Sequence, residues 1–178
     1  MLSAKAKYGM KALLSLAMEV QPRPVLGSEL AEREQIPKKF LEQILLELKH
    51  RGLVQTKRGR HGGYVLTRKP NEITVGEVVR ALDGPIAPIP CVSQTAYVRC
   101  DECKDETTCG IRLVMKQVRD AMARILDTTT LADVTRMIEA SSSAAVKELA
   151  RAETAESRRA KEPSQPVKLR DPRRPFRR

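Results

Sequence analysis

Between residues 38 and 66 the chain reads KKFLEQILLELKHRGLVQTKRGRHGGYVL, a stretch that admits few folds. Phe40, Leu41, Ile44, Leu45 and Leu48 recur at helical spacing, which predicts a helix with one apolar side and with Lys38, Lys39, Glu42, Gln43 and Lys49 on the other. Gly52 ends that helix, and LVQTK and YVLT then read as two strands around the turn RGRHGG. Upstream, Ser28 is expected to cap a short helix reaching Glu34. Gln35-Ile36-Pro37 forms a tight turn that places proline at the first position of the next helix. Two helices joined by a short turn and followed directly by a basic hairpin make a winged helix-turn-helix, whose second helix lies in the major groove. Glycines 59, 62 and 63 permit positive backbone angles at the hairpin tip, while Lys57, Arg58, Arg60 and His61 charge it. A narrow minor groove attracts arginine from such a tip.

The flanking segments complete the pattern. Met10, Leu13, Leu14, Ala17 and Met18 predict a first helix over residues 4–20, ended by the prolines at 22 and 24. Thr74-Val75-Gly76-Glu77 has the form of a capping box and starts a fourth helix that stops at Asp83-Gly84. Residues 1–84 therefore read as one DNA-binding domain. Residues 85–109 carry prolines and cysteines without periodicity and read as a loop ordered by a ligand. Ile111, Met115, Val118, Met122 and Ile125 then repeat at the spacing of a coiled-coil seam, flanked by Lys116, Arg119, Asp120 and Arg124. Such a seam predicts a long dimerisation helix, and a homodimer suits a duplex with two half-sites. Thr130-Leu131-Ala132-Asp133 is another cap, beginning a last helix within residues 110–140 that returns onto the first domain. Residues 141–178 are basic and almost free of apolar side chains, and read as a disordered tail. The expected architecture is mainly α with a small β-hairpin wing.

Charge points to the partner. The formal net charge is +11, with 15 basic against 9 acidic residues in 1–84, 7 against 8 in 85–140 and 11 against 5 in 141–178. Positive ends on a chain of this kind favour a polyanion. With two phenylalanines, three tyrosines and no tryptophan, stacking platforms for single strands are scarce, so double-stranded DNA is the expected partner. No apolar run approaches the ~18 residues of a membrane span, and the N-terminus lacks the continuous apolar stretch of a signal peptide. The expectation is a cytoplasmic protein with no membrane and no small-molecule substrate. His50 and His61 fall in the recognition helix and the wing with no nucleophile or base beside them, which argues against an enzyme.

All four cysteines, Cys91, Cys100, Cys103 and Cys109, lie within nineteen residues in the spacing C-x8-C-x2-C-x5-C. Random scatter would seldom produce such clustering. Their neighbours Asp101, Glu102, Lys104, Asp105 and Glu106 are not those of buried core cysteines, and a reducing compartment disfavours stable disulfides. Thiolates in this number suit an iron-sulfur cluster or zinc, and spacing alone does not separate the two. The single CxxC lacks the paired pattern of most structural zinc sites, and a redox dithiol is a third reading.

At this level of detail the sequence resembles the Rrf-type winged-helix regulators, a family with IscR-like, NsrR-like and RirA-like branches that sense iron-sulfur status, nitric oxide and iron. The resemblance runs over residues 1–139 and is carried by LSAKAKYGMKALLSLA, FLEQILLELKHRGLVQTKRGRHGGYVL, ITVGEVVRALDG, the cysteine loop and TLADV. It implies a homodimeric transcriptional regulator. Lys39, Glu42 and Gln43 fall where relatives contact bases, and Arg58 where they enter the minor groove; Arg60 and His61 replace residues that are proline or glycine in some members. It also implies a cluster, 2Fe-2S in preference to 4Fe-4S, held by Cys91, Cys103 and Cys109, with zinc as the alternative. Arg112 stands where one branch has a ligating histidine and Tyr8 where another has an aspartate, which leaves Cys100 as the fourth ligand or a reserve thiol. Loss or redox change of the cluster would then relax the loop and alter the spacing between two wings.

Overall fold

A computed structural model of the protein describes residues 2–19, 23–59 and 62–144. The fold divides after Ile138, and the elements that position the site precede that point. In chain order they are α1 (Ala4–Ala17), α2 (Gly27–Arg33), α3 (Lys38–His50), β1 (Val54–Lys57), β2 (Gly63–Leu66), α4 (Val75–Asp83) and α5 (Gly110–Thr128). Short 3-10 turns at Pro70–Glu72 and Pro90–Val92 interrupt the connections. Residues 131–144 are also helical, and the part up to residue 138 is called α6. Residues 141–144 were expected in the tail and are helical instead; the rest of that predicted tail lies outside the described residues.

The core is made by the apolar sides of the first four helices. Leu13 of α1, Leu30 of α2, Leu41, Ile44, Leu45 and Leu48 of α3, and Val78 of α4 are all fully buried. Phe40 lies at the edge of that stripe and meets Tyr8 of α1 edge-on, with ring centroids 5.7 Å apart and planes at 86°. This contact commits Tyr8 to packing α1 on α3. Gly9 lets α1 approach α4 closely, because a Cβ there would sit 2.3 Å from Leu82 Cδ1.

Helix ends follow the sequence with three exceptions, the first being α1, which stops at Ala17 short of the expected residue 20. Ser3 Oγ accepts from Ala6 N at 3.0 Å to start α1, and Thr74 Oγ1 accepts from Glu77 N at 3.1 Å to start α4. Thr130 and Asp133 bond reciprocally at the start of α6, Thr130 N donating to the Asp133 carboxylate at 2.9 Å and Asp133 N to Thr130 Oγ1 at 3.1 Å. Ser28, by contrast, does not cap α2. The N-cap is Leu26 in extended conformation without a side-chain cap bond, and Ser28 sits one residue inside the helix, exposed. Pro37 is the N-cap of α3, not its first residue, since its ψ of 123° is extended and Lys38 is the first helical position.

The wing is an antiparallel pair in which Val54 faces Leu66 and Lys57 faces Gly63. It gains a third rung that the sequence did not reveal. Val25, between α1 and α2, donates its N–H to Tyr64 O at 3.0 Å and accepts from Tyr64 N at 2.8 Å, a one-residue antiparallel bridge. Gly63 makes this possible: its φ is +150°, and a Cβ there would lie 2.4 Å from Val25 O. At the tip Gly59 has φ +111°, as expected, whereas Gly62 is required for space, with a Cβ falling 2.5 Å from Lys57 O.

After α5 the chain does return onto the first domain. Leu131 is fully buried with Ile73, Leu131 N donates to Ile73 O at 2.9 Å, and Val75 N donates to Thr129 O at 2.8 Å. No helix among the described residues is long and apolar enough to cross a membrane.

Candidate DNA interface and cysteine loop

The helix-turn-helix presents a largely polar outer face, interrupted on α3 by Leu46, which is 52 % exposed. Packing of Leu41, Ile44, Leu45 and Leu48 into the core turns Lys38, Lys39, Glu42 and Gln43 outward, all exposed. Ser28 on α2 is exposed as well. Lys57 and Arg58, leaving β1 toward the wing tip, are exposed; Arg60 and His61 lie outside the described residues. Among the described residues none of Lys38, Lys39, Lys57 and Arg58 forms an ion pair, so no described acid neutralises their positive charge.

Apart from Glu42, which faces outward with these cations, several acids of the same domain are paired elsewhere. Glu47, on the flank of α3, pairs with Lys5 at 3.1 Å, and Glu34 at the end of α2 pairs with Lys11 at 3.4 Å. Glu19 and Glu29 share Arg23 and Arg33: Arg33 Nη1 reaches Glu19 at 2.6 Å and Arg23 Nη2 reaches Glu29 at 2.7 Å. The Arg33 hydrogen bond holds the Glu19 carboxyl below its usual range, and the Arg23 hydrogen bond does the same for Glu29. This network ties the end of α1 to α2. It leaves the face carrying α3 and the wing with a surplus of free cations, the electrostatic form that a phosphate backbone selects.

The cysteine loop only partly matches expectation. Cys100 is exposed and Cys103 and Cys109 are half-buried. Cys103 N donates to Cys100 O at 3.2 Å, closing the CxxC turn, and the Cys109 thiol lies beside that of Cys103. Desolvation raises the Cys103 thiol above its ordinary range, and the Cys109, Cys100 and Glu106 groups beside it push the same way. Cys91 stands apart. It is 8 % exposed in the 3-10 turn Pro90–Val92, which packs on α5, and is buried together with Val92, a burial that its acidic sequence neighbours further on did not foretell. Among the described residues no three His, Cys, Asp or Glu side chains converge as a metal site, so the four thiols are not gathered at one point. The donor chemistry still fits a thiolate-held centre, since three of the four sulfurs lie in one short segment and soft ligands of this kind bind iron-sulfur clusters or zinc.

Sequence reasoning missed the hub of this loop, Glu106. Its carboxylate accepts from the Tyr97 hydroxyl, and it pairs with Arg112 Nε at 3.4 Å and Arg99 Nε at 3.9 Å. Arg112, where the resemblance implied a ligating histidine in one branch, is a counter-ion of Glu106. Asp105 accepts from Thr107 N at 2.9 Å and from Thr108 Oγ1 at 2.8 Å, which folds the approach to Cys109 into a compact turn.

The helix that follows carries a long exposed apolar stripe. Ile111, Val114, Val118, Met122 and Ile125 of α5 are 40–69 % exposed. Its one buried residue is Arg119, which the sequence pattern placed among the seam's outer charges; its Nη2 meets Asp120 at 3.0 Å.

Comparison with known proteins agrees with this architecture. Residues 2–137 match the family model described as Rrf2, an iron-dependent transcriptional regulator. An rrf2-like protein of Rhodobacter capsulatus is 45 % identical over 137 residues, covering 75 % of this chain and 91 % of that protein. The structure of CymR, the global cysteine regulator of Bacillus subtilis, superposes with a TM-score of 0.65 at 32 % identity, covering 77 % of this chain and 97 % of that one. The structure of IscR from T. potens superposes at 0.63 with 30 % identity, covering 79 % and 90 %. The chain thus belongs to the Rrf2 family and is a winged-helix, DNA-binding transcriptional regulator.

Proposed function

We propose that the protein is a homodimeric regulator whose operator binding is set by an iron-sulfur cluster held in the cysteine loop. The observation that carries this reading is the gathering of Cys100, Cys103 and Cys109 in one exposed segment immediately before α5. Cys91, Cys103 and Cys109, with Cys100, would hold the cluster; 2Fe-2S is favoured over 4Fe-4S, and the cluster would supply reversible one-electron chemistry and a centre that can be lost or modified. Lys39, Glu42 and Gln43 of α3 would read base edges in the major groove, while Lys38, Lys57 and Ser28 would contact phosphates. Arg58, with Arg60 and His61, would enter the minor groove. Two α5 helices would cover each other's exposed apolar stripes.

A second reading is favoured by the buried Cys91 and by the likeness to CymR, the cysteine regulator: a constitutive or zinc-stapled repressor that senses no cluster. Metal analysis separates the two. Anaerobically purified protein should carry iron and acid-labile sulfide with visible absorption, and Cys103→Ala should abolish both and change operator affinity at least about tenfold, or about 1.4 kcal/mol. Stoichiometric zinc without iron or sulfide refutes the cluster reading.

A further inference from the structure

The far end of α5 is joined to the DNA-binding domain by a contact whose parts come from distant sequence positions. Asp127, in the last turn of α5, receives both arms of the Arg80 guanidinium, at 2.6 Å to Oδ1 and 2.8 Å to Oδ2. Arg80 lies one turn beyond Gly76 on α4, so the two form a single face. The carboxylate rests directly on Gly76, where a Cβ would fall 2.0 Å from Asp127 Oδ1. An acid in the last turn of a helix opposes that helix's own dipole, but Asp127 lies against the first turn of α4, whose dipole favours it. Arg80 holds the Asp127 carboxyl below its usual range.

Two backbone bonds close the joint from the other side, Val75 N to Thr129 O and Leu131 N to Ile73 O. The first of these satisfies an N–H at the start of α4 that has no partner within its own helix. A partly exposed ion pair contributes little stability by itself. A bidentate pair seated on a glycine does something else: it fixes an angle, because the guanidinium fork and the carboxylate are both planar and there is no side chain beneath for them to slide over.

We propose that the Arg80–Asp127 clamp over Gly76 is the positioning element that holds the DNA-binding domain at one angle to α5, and so fixes the half-site spacing that the protein accepts. The proposal rests on the dimer reading, in which α5 of each copy meets the other. The 19 residues of α5 make a lever of about 28 Å, so a change of about 10° at the joint displaces its other end by about 5 Å. That exceeds one base-pair step. A loose joint would therefore let the two recognition helices engage half-sites at several separations.

The test is selection from a random duplex library with the full chain and with Asp127→Ala, Arg80→Ala and Gly76→Ala, followed by affinity measurement on the enriched half-site at each spacing. The wild type should enrich inverted half-sites at one separation and discriminate against a separation one base pair longer by about tenfold. Each variant should enrich the same half-site sequence, bind a single half-site with unchanged affinity, remain a dimer by light scattering, and discriminate less than about threefold between separations. Gly76→Ala disturbs the seat while leaving both charged groups in place, so it reports on the clamp even if a charge variant fails to fold. Retained single-spacing selectivity in Gly76→Ala and Asp127→Ala overturns the proposal. If the wild type enriches no paired half-sites, the dimer reading fails and the clamp loses its role with it. Equal loss of single half-site and paired-site binding assigns Asp127 to general stability and also overturns the proposal.

Discussion

Replacing Gly63 by alanine should be far more damaging than replacing Gly59, although both lie in the wing and both have positive φ. At Gly63 the added Cβ would meet Val25 O at 2.4 Å, Val25 C at 2.5 Å and Val25 N at 2.9 Å, all backbone atoms that cannot rotate away. The bridge to Val25 must open. Two backbone hydrogen bonds, of 3.0 and 2.8 Å, then break, at roughly 0.5–1.5 kcal/mol each. At Gly59 nothing lies within 4 Å of the added Cβ, and only the conformational cost of φ +111° remains, of about 1–3 kcal/mol, which alanine at Gly63 shares. The difference between the two variants is therefore about 1–3 kcal/mol, of which the bridge is the physical content. Urea unfolding measures it as a shift in midpoint at constant slope, and amide exchange locates it, with protection lost at Val25 and Tyr64 in Gly63→Ala and kept in Gly59→Ala. Equal midpoints for the two variants, or protection retained at Tyr64 in Gly63→Ala, would show that the Val25 bridge contributes nothing to holding the wing.

Salt and pH test the electrostatic argument. Lys57 and Arg58 are exposed and without acidic partners among the described residues, so converting both to alanine should flatten the dependence of log affinity on log salt by about 0.9 for each phosphate no longer neutralised, or about 2 per protomer. Fluorescence anisotropy with a duplex across potassium chloride concentrations reads this directly, and an unchanged slope means that the wing does not touch the backbone. Glu19 and Glu29 have folded-state carboxyls lowered from 4.5, so the stability they contribute is complete above that pH and is lost as pH falls through the lower folded values. The urea midpoint should therefore fall from about pH 4.5 downward, and Arg33→Ala should reduce the fall; a midpoint with the same acid dependence in that variant would remove the network from the account.

What could be read from the sequence was what local patterns control. The stripe of α3, the glycine at 52 with φ +73°, the Thr74 cap and the 19-residue α5 each depend on residues within one or two turns of each other, and each formed as expected. Long-range contacts were not legible. The bridge from Val25 to Tyr64 joins a single extended residue to a strand 39 positions away, with no strand pattern around Val25 to announce it. Ser28 misled because its chemistry suits a cap, while the chain enters α2 two residues earlier at Leu26. Cys91 reads like its three companions in composition, but it is buried with Val92 in a turn that packs on a helix 18 residues further on, a long-range contact.

The two ends of α5 are held by forces of different kinds, and this asymmetry decides where a signal can act. Its C-terminal end is fixed by the fully buried Leu131, two backbone bonds and the Arg80–Asp127 pair. Its N-terminal end follows a loop organised by the half-buried Glu106 and the exposed Asp105 through ion pairs and turn hydrogen bonds, of which an exposed ion pair is worth about 0–1 kcal/mol. Thiolate ligation contributes on the order of 10 kcal/mol in small metal-binding folds. A centre bound by these cysteines would therefore outweigh every interaction that now shapes residues 97–109, yet it would be too far along the chain to disturb the Leu131 anchor. On the cluster reading proposed above, a change at the thiols would reach DNA by moving the Gly110 end of α5, and the Arg80–Asp127 joint would carry the DNA-binding domain along as one piece.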